Sequence, residues 1–177
     1  MKKVLIGLVI AVMMTGSVSL YSASLYYEDY KNEFTDDRRL LLALVADDKN
    51  LMFSISCSQG DNKLNFIATP ELYFGTEDVA NLKIRFDDKQ MYEKKLNMFS
   101  NNEAAFTRDL PFILEFLDNL KISKNFILKF ANDSTARFTE YLDRELNEVD
   151  AEERVNNFLE NSLEMGCHKI EDIDPYE

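Results

Sequence analysis

The stretch Leu82 to Phe99, LKIRFDDKQMYEKKLNMF, decides the fold. Its first five residues alternate apolar with charged side chains, which is the two-residue period of a strand with one dry and one wet face. Turn-forming residues from Asp87 to Gln90 interrupt the alternation, and a second, weaker strand resumes from Met91 to Phe99. A hairpin alone is not stable in water, so its apolar face needs a further layer of the protein to pack against.

The first 24 residues are typical of a secretory signal peptide. Lys2 and Lys3 give a positive start, Val4 to Met14 is an apolar run, and small polar residues follow. The pattern predicts cleavage after Ser24 or after Ser19. An uncleaved signal anchor is the alternative, but the apolar run is shorter than the ~20 residues of a membrane-spanning helix. We therefore predict a periplasmic or secreted protein.

Length and charge limit the function classes. Residues 25–168 suffice for a single domain with one sizeable core, and residues 169–177 form an acidic tail. The net charge of −12 becomes more negative once the lysines of the signal segment are removed. Such a charge disfavours nucleic acid and anionic membranes and favours a cationic protein partner, although solubility alone is the simpler interpretation. Membrane contact is expected only if the signal segment stays uncleaved.

The chain has two cysteines, Cys57 and Cys167. Because exported proteins fold under oxidising conditions, such a pair predicts one disulfide bond. Two unrelated buried thiols are the alternative.

Several further segments carry strand patterns. Leu51 to Ser58 and Lys63 to Thr69 alternate on either side of a turn and predict a hairpin, and Ala104 to Thr107 predicts a short strand. Arg39 to Ala46 is an apolar run that fits a buried strand or a helical turn. Leu25 to Asp37 has no clear period and predicts an irregular lead-in or a short edge element.

The second half of the chain predicts a helix, a hairpin and further helical segments. Asp109 is a candidate N-cap for a helix that runs to about Leu120, with Pro111 in its first turn. Asn125 to Ala131 and Thr135 to Glu140 predict a second hairpin, and Tyr141 to Val149 predicts a helical turn.

The last predicted helix runs from Ala151 to Met165, with Asp150 and Glu153 as a capping box and Gly166 as its C-cap. Its apolar stripe consists of Val155, Phe158, Leu159 and Leu163.

The elements add up to an α+β fold. We predict an antiparallel β-sheet or sandwich of two hairpin groups, with an intervening helix, a C-terminal helix and one disulfide.

Five features in order resemble a known family. They are an early strand that ends at Cys57, the triplet Arg85-Phe86-Asp87, a helix that ends in Phe116-Leu117-Asp118-Asn119-Leu120, a strand pair that ends on Phe138, and a helical segment followed by a last cysteine at Cys167. Between Leu51 and Cys167 the chain resembles the small periplasmic proteins of the VasI type, which are associated with type VI secretion, and more loosely the invasion-associated locus B proteins. The resemblance implies a secreted, β-rich domain that acts as a non-enzymatic accessory or interaction protein of the cell envelope.

No set of residues forms a catalytic or metal-binding signature. His168 is the single histidine and follows Cys167, but adjacent side chains seldom point at one another, and the cysteine is assigned to the disulfide. Four well-spaced zinc ligands are absent from the sequence. We predict no catalytic residue, no metal and no cofactor.

Two charged groups are candidates for partner binding. The first lies at the central hairpin, where aspartates more often serve the turn conformation. The second surrounds the start of the last helix, where a solvated helix face is the simpler interpretation. Their members are Arg85, Asp87 and Asp88 at the hairpin, and Glu145, Glu148, Glu152 and Glu153 near the helix.

Two functions fit these observations. The first is a non-enzymatic interaction protein of the periplasm or envelope. The second is an acidic inhibitor or immunity protein that binds a cationic toxin or cell-wall hydrolase, and it predicts an exposed acidic wedge with salt-sensitive binding.

Overall fold

Nine strands and two helices form the part of the chain that the structure describes. The structure is a computed structural model and describes residues 21–46, 51–69, 78–100, 104–132, 138–146 and 151–168. The strands are β1 (Tyr21–Lys31), β2 (Arg38–Ala46), β3 (Leu51–Ser58), β4 (Leu64–Ala68), β5 (Val79–Phe86), β6 (Tyr92–Met98), β7 (Ala105–Thr107), β8 (Asn125–Asn132) and β9 (Phe138–Leu146), and the helices are α1 (Leu110–Ile122) and α2 (Ala151–Glu164).

The strands form one sheet in the order β1-β2-β3-β4-β7-β6-β5-β8-β9, and the last strand pairs with the first, so the sheet closes into a barrel. The closing pair is parallel and sets Tyr21 opposite Arg144 and Ala23 opposite Leu146. The other neighbouring strands pair antiparallel. The predicted α+β class is confirmed, with an antiparallel sheet, a helix between strands and a C-terminal helix.

The central hairpin forms as predicted. β5 alternates half-buried and buried residues along its whole length. On its buried face Ile84 lies opposite Leu128 of β8, and Phe86 lies opposite Phe126. Apolar pairs across neighbouring strands are the unit that stabilises a sheet. The predicted hairpin of β3 and β4 and the short strand β7 are also present.

The prediction of an irregular lead-in or a short edge element from Leu25 to Asp37 is wrong, because most of this segment belongs to the long strand β1. β1 has 11 residues and pairs with β2 along most of its length. Ala23 and Leu25 belong to the core, whereas Asp29 on the same face of the strand is exposed. The strand therefore extends beyond the core, and its sequence lacks a continuous apolar period. The ambiguous run that follows it is strand β2.

The prediction of a helical turn from Tyr141 to Val149 is wrong as far as Leu146, because these residues belong to strand β9. Residues up to Leu146 continue the strand, which pairs with β8 on one side and with β1 on the other. Hydrogen bonds to two neighbouring strands outweigh a weak local helical pattern, because secondary structure depends strongly on tertiary context. Residues 133–137 and 147–150, which include the predicted hairpin turn and Asp150, lie outside the described residues.

Helix α1 begins at the predicted cap. The Asp109 carboxylate accepts a hydrogen bond from the Phe112 backbone N–H at 3.1 Å, which satisfies one free donor of the first turn. Lys94 of β6 forms an ion pair with the same carboxylate. The hydrogen bond from Lys94 lowers the pKa of Asp109 below its usual range.

Phe116 of α1 is the centre of an aromatic cluster on the buried side of the sheet. Its ring centroid lies 4.8 Å from that of Phe53 on β3, 5.1 Å from that of Phe66 on β4 and 5.4 Å from that of Phe86 on β5. All three contacts are edge-to-face, the arrangement that aromatic quadrupoles favour. One helical side chain therefore contacts strands of both the β3–β4 hairpin and the central hairpin.

Helix α2 packs against α1, β1 and β2. Val155 and Phe158 are buried as predicted, and Leu159 is partly buried. The prediction that Leu163 belongs to the buried stripe is wrong, because Leu163 is 64% exposed and Ser162 occupies the buried position. Residues 151, 155, 158 and 162 follow the helical period on one face, and Leu163 falls a further 100° round the helix.

The end of α2 brings the second cysteine to the sheet. Gly166 has φ +79°, and its N–H donates to the Leu163 carbonyl at 2.9 Å, while the Cys167 N–H donates to the Ser162 carbonyl at 2.9 Å. This pair of bonds is a Schellman C-cap and confirms the role predicted for the glycine. Cys167 is bonded to Cys57 at the end of β3, with 6.0 Å between the Cα atoms and both side chains buried. The predicted disulfide is confirmed.

The position at which β1 starts distinguishes the two predicted cleavage sites of the signal peptide. Residues 1–20 lie outside the described residues, so the signal peptide stays a prediction. Cleavage after Ser19 leaves β1 whole, whereas cleavage after Ser24 removes the residues that pair with β9 and the buried Ala23. The fold therefore favours Ser19. Neither described helix has the length and apolar character needed to cross a membrane.

We predict that replacing both cysteines by serine, C57S/C167S, lowers the free energy of unfolding strongly. The bond links residues 110 positions apart, and closing a loop of that length is worth about 4 to 5 kcal/mol in the chain-entropy model. Urea unfolding of the oxidised wild type and the variant measures the difference. Reductant should destabilise the wild type and leave the variant unaffected. Equal stability of the two proteins would contradict a structural role for the bond.

Candidate interaction site

The connection between β1 and β2 projects as an ordered turn. We call residues 28–39, which comprise the end of β1, the turn 32–37 and the start of β2, the hairpin arm. Asn32 and Asp37 close the turn, with the Asn32 N–H donating to the Asp37 carbonyl at 2.8 Å. The Asn32 side chain accepts the Phe34 N–H at 2.9 Å, and Asp36 takes the left-handed conformation at φ +59°. Phe34 is 96% exposed at the tip of this arm.

Arg38 joins the hairpin arm to the end of α2. Its guanidinium donates two hydrogen bonds to the Asp29 carboxylate, at 2.9 and 2.6 Å, in a bidentate arrangement. It also donates to Asn161 at 2.7 Å and to Glu164 at 3.3 Å. The hydrogen bond from Arg38 lowers the pKa of Asp29, and the Asp29 carboxylate raises the pKa of Arg38. Asn161 in turn donates to the Tyr27 hydroxyl at 3.0 Å.

An open cleft lies beside this network. Its volume is about 820 Å³, and it runs between the hairpin arm, the turn after β3 and the end of α2. Each of its five charged side chains is ion-paired with another of them, in the pairs Asp29–Arg38, Glu164–Arg38 and Lys31–Asp36. The residues that line it are Asp29, Lys31, Asp36, Arg38, Gln59, Glu164 and Met165.

The ion pairs of the cleft determine whether its side chains could act as a general acid or base. A general base needs a carboxylate whose pKa is raised toward neutral pH, and Asp29 has the opposite shift. Arg38 stays protonated near neutral pH and therefore cannot serve as a general acid or base. The arrangement therefore suits a rigid polar recognition surface.

Ser162 and His168 form a second polar contact, 2.8 Å apart, near the disulfide. The serine hydroxyl donates to the Leu159 carbonyl at 3.1 Å, which leaves its oxygen as an acceptor for the imidazole Nε2–H. Ser162 is fully buried, so no substrate reaches it. Burial lowers the pKa of His168.

Asp87, predicted at the central hairpin, is a turn residue with a defined structural role. It has φ +47°, and its carboxylate accepts the backbone N–H groups of Lys124 at 3.1 Å and Asn125 at 2.8 Å. Asp87 therefore anchors the segment between α1 and β8. Asp88 beside it is exposed. Arg85 is half-buried on the outer face of β5, and its Nε–H donates no hydrogen bond to any of the described residues.

The predicted acidic group near the last helix is only partly described. Glu145 lies opposite Asn125 in the pairing of β9 with β8, which places its backbone near that of Asp87. Glu152 and Glu153 are exposed in the first turn of α2. Glu148 lies outside the described residues. Of the predicted partner-binding residues whose side chains are described, none lines the cleft.

The residues of the hairpin arm were not singled out from the sequence. The available signal is the run Asn32 to Asp37, NEFTDD, in which turn formers and acids surround one phenylalanine. Within the described residues, no group of three or more histidine, cysteine, aspartate or glutamate side chains is placed to hold a metal ion.

We predict that Asp87→Ala lowers the free energy of unfolding by about 2 kcal/mol, because it removes two charge-assisted hydrogen bonds and leaves alanine in a left-handed conformation. Asp88→Ala is the matched control and should change stability by less than about 0.5 kcal/mol. Denaturant unfolding of both variants measures this. A stable Asp87→Ala protein would instead point to a role of Asp87 outside the fold.

We predict that stability falls as the pH drops below about 6.5, the value for an unperturbed histidine. The pKa of His168 is lower in the folded protein than in the unfolded chain, so below pH 6.5 the unfolded chain takes up the proton first. Denaturant unfolding at pH 7.5 and pH 5.5 measures the loss. The substitution His168→Gln should reduce it, and an unchanged difference between the two pH values would contradict the assignment.

Comparison with known proteins leaves the chain without a relative on which a function could rest. No protein-family model, curated protein or solved structure matches it. The resemblance to the VasI type therefore stays a prediction, and a proposed function must rest on the geometry described above.

Proposed function

We propose that this chain is a non-enzymatic protein of the periplasm or cell envelope that acts by binding another protein. The observation that carries the proposal is the hairpin arm. It is held by Arg38 to α2 and presents Phe34 to solvent beside a cleft whose charged groups are all ion-paired. A surface that is ordered, exposed and partly apolar fits recognition of a partner.

The polar groups support binding over turnover. The Ser162 hydroxyl is buried and bonded to a backbone carbonyl, and Asp29 has a lowered pKa. Catalytic acids and bases need the reverse, namely access to substrate and a pKa near the working pH.

The disulfide supports a location outside the cytoplasm, because such bonds form and persist in oxidising compartments. The signal-like segment at the start of the sequence points the same way. An accessory role in secretion, as the VasI resemblance implies, is part of this proposal.

A second function, an acidic inhibitor or immunity protein for a cationic toxin or cell-wall hydrolase, has one observation in its favour. The turn of the hairpin arm carries Glu33, Asp36 and Asp37, all exposed, around Phe34. This is the exposed acidic wedge that such an inhibitor requires, and binding through it would weaken as salt rises.

Two measurements test these proposals. The mature protein is immobilised and exposed to envelope extract at low and high salt, and its own turnover of peptidoglycan and ester substrates is assayed. A partner retained at both salt concentrations fits the accessory function, and one retained only at low salt fits the inhibitor. Turnover that is lost in a variant of a cleft residue, such as Asp29→Asn, would overturn both.

A further inference from the structure

Phe34 is the most exposed of the large apolar side chains in the described part of the chain, at 96%. An isolated exposed apolar residue on a flexible segment needs no explanation. Phe34 differs because the hydrogen bonds of the turn hold its backbone. Its own N–H is bonded to the Asn32 side chain, and Thr35 donates to the Asp37 carboxylate at 2.6 Å.

Two further aromatic side chains are exposed on β1. Tyr26 and Tyr30 lie on the outer face of the strand and are 49% and 61% exposed. Tyr26 and Tyr30 share this face because alternate residues of a strand do, whereas Phe34 lies beyond the strand, in the turn. The arm thus offers two exposed aromatic side chains, Tyr30 and Phe34, and Tyr26 precedes it on β1. Aromatic residues are enriched among the few that dominate binding energy at protein interfaces.

The charges of the turn indicate which kind of partner the hairpin arm can bind. Glu33, Asp36 and Asp37 lie in the same turn as Phe34. Of the three cations of the arm, Lys31 is ion-paired with Asp36, Arg38 is ion-paired with Asp29, and Arg39 lies on β2 opposite Tyr30, so the turn itself has a net negative charge. An anionic lipid surface would repel this tip, and the same tip of a second copy would meet it with like charges. A protein with basic residues around an apolar pocket is complementary to it.

We propose that Phe34 is the anchor of the hairpin arm and inserts into an apolar pocket on a basic protein, with lysine and arginine side chains at the rim of the pocket facing Glu33, Asp36 and Asp37. This inference rests on the proposed function, since it names the surface and the chemistry of the partner.

The first experiment maps what Phe34 touches. The photoreactive residue p-benzoyl-phenylalanine replaces Phe34 in the full chain, and the producing cells are irradiated. The matched control carries it at Leu163, an apolar residue of α2 that is 64% exposed. The expected result is an adduct specific to position 34, formed with a protein of basic isoelectric point and mapped next to lysine or arginine residues.

The second experiment measures affinity with that purified partner. Phe34→Ala should weaken binding by about 30-fold or more, which is the size of effect expected for an anchor residue. Because Phe34 is solvent-exposed, the substitution should leave thermal unfolding unchanged. Glu33→Lys should weaken binding at low salt, and by less at high salt. Glu160→Lys on the exposed side of α2 changes the net charge equally and should have little effect.

Several results would overturn the inference. They are no adduct at position 34 beyond that at position 163, an adduct with a second copy of the chain, with lipid or with an acidic protein, or an affinity that Phe34→Ala leaves unchanged. If the wild type still binds a partner in these cases, the proposed function survives without this surface. Substrate turnover by the protein would instead remove the proposed function itself.

Discussion

The closed sheet depends on one packing constraint, the filling of its interior by α1. A barrel of this size needs side chains to occupy its centre, because interiors of proteins are close-packed and voids are costly. Phe116 meets this need by contacting the rings of Phe53, Phe66 and Phe86 at centroid distances of 4.8 to 5.4 Å. The cap at Asp109 and its ion pair with Lys94 determine where the helix begins. They thereby determine which face of the helix packs against the sheet.

Helix α2 connects the hairpin arm to the sheet. The disulfide from Cys167 to Cys57 fixes the end of the helix at the sheet, and the hydrogen bonds from Arg38 to Asn161 and Glu164 attach the hairpin arm to the same end. The arm extends beyond the apolar core, so its attachment to α2 consists of the hydrogen bonds of Arg38 to Asn161 and Glu164.

The charged groups of the cleft serve recognition in this view. Ion pairs that satisfy one another form a fixed pattern of donors and acceptors at modest cost in stability, since they remain partly exposed. The affinity of such a surface would come mainly from the aromatic residues of the arm, while its charges would determine which partners approach. Binding energy and selectivity are thus assigned to neighbouring but different side chains.

Local chemistry in the sequence determined the β5–β6 hairpin, the cap at Asp109, the C-cap at Gly166 and the cysteine pair, because alternation, capping and oxidation need only near neighbours or a compartment. Tertiary structure alone decided that β1 and β9 are strands and close the sheet, since each takes its hydrogen bonds from strands distant in sequence. Tertiary structure also decided which residues form the candidate interaction site. Arg38 and Glu164 are 126 positions apart, and no local pattern announces that they meet. The exposure of Phe34 likewise follows from where β1 leaves the core, which only the packed sheet defines.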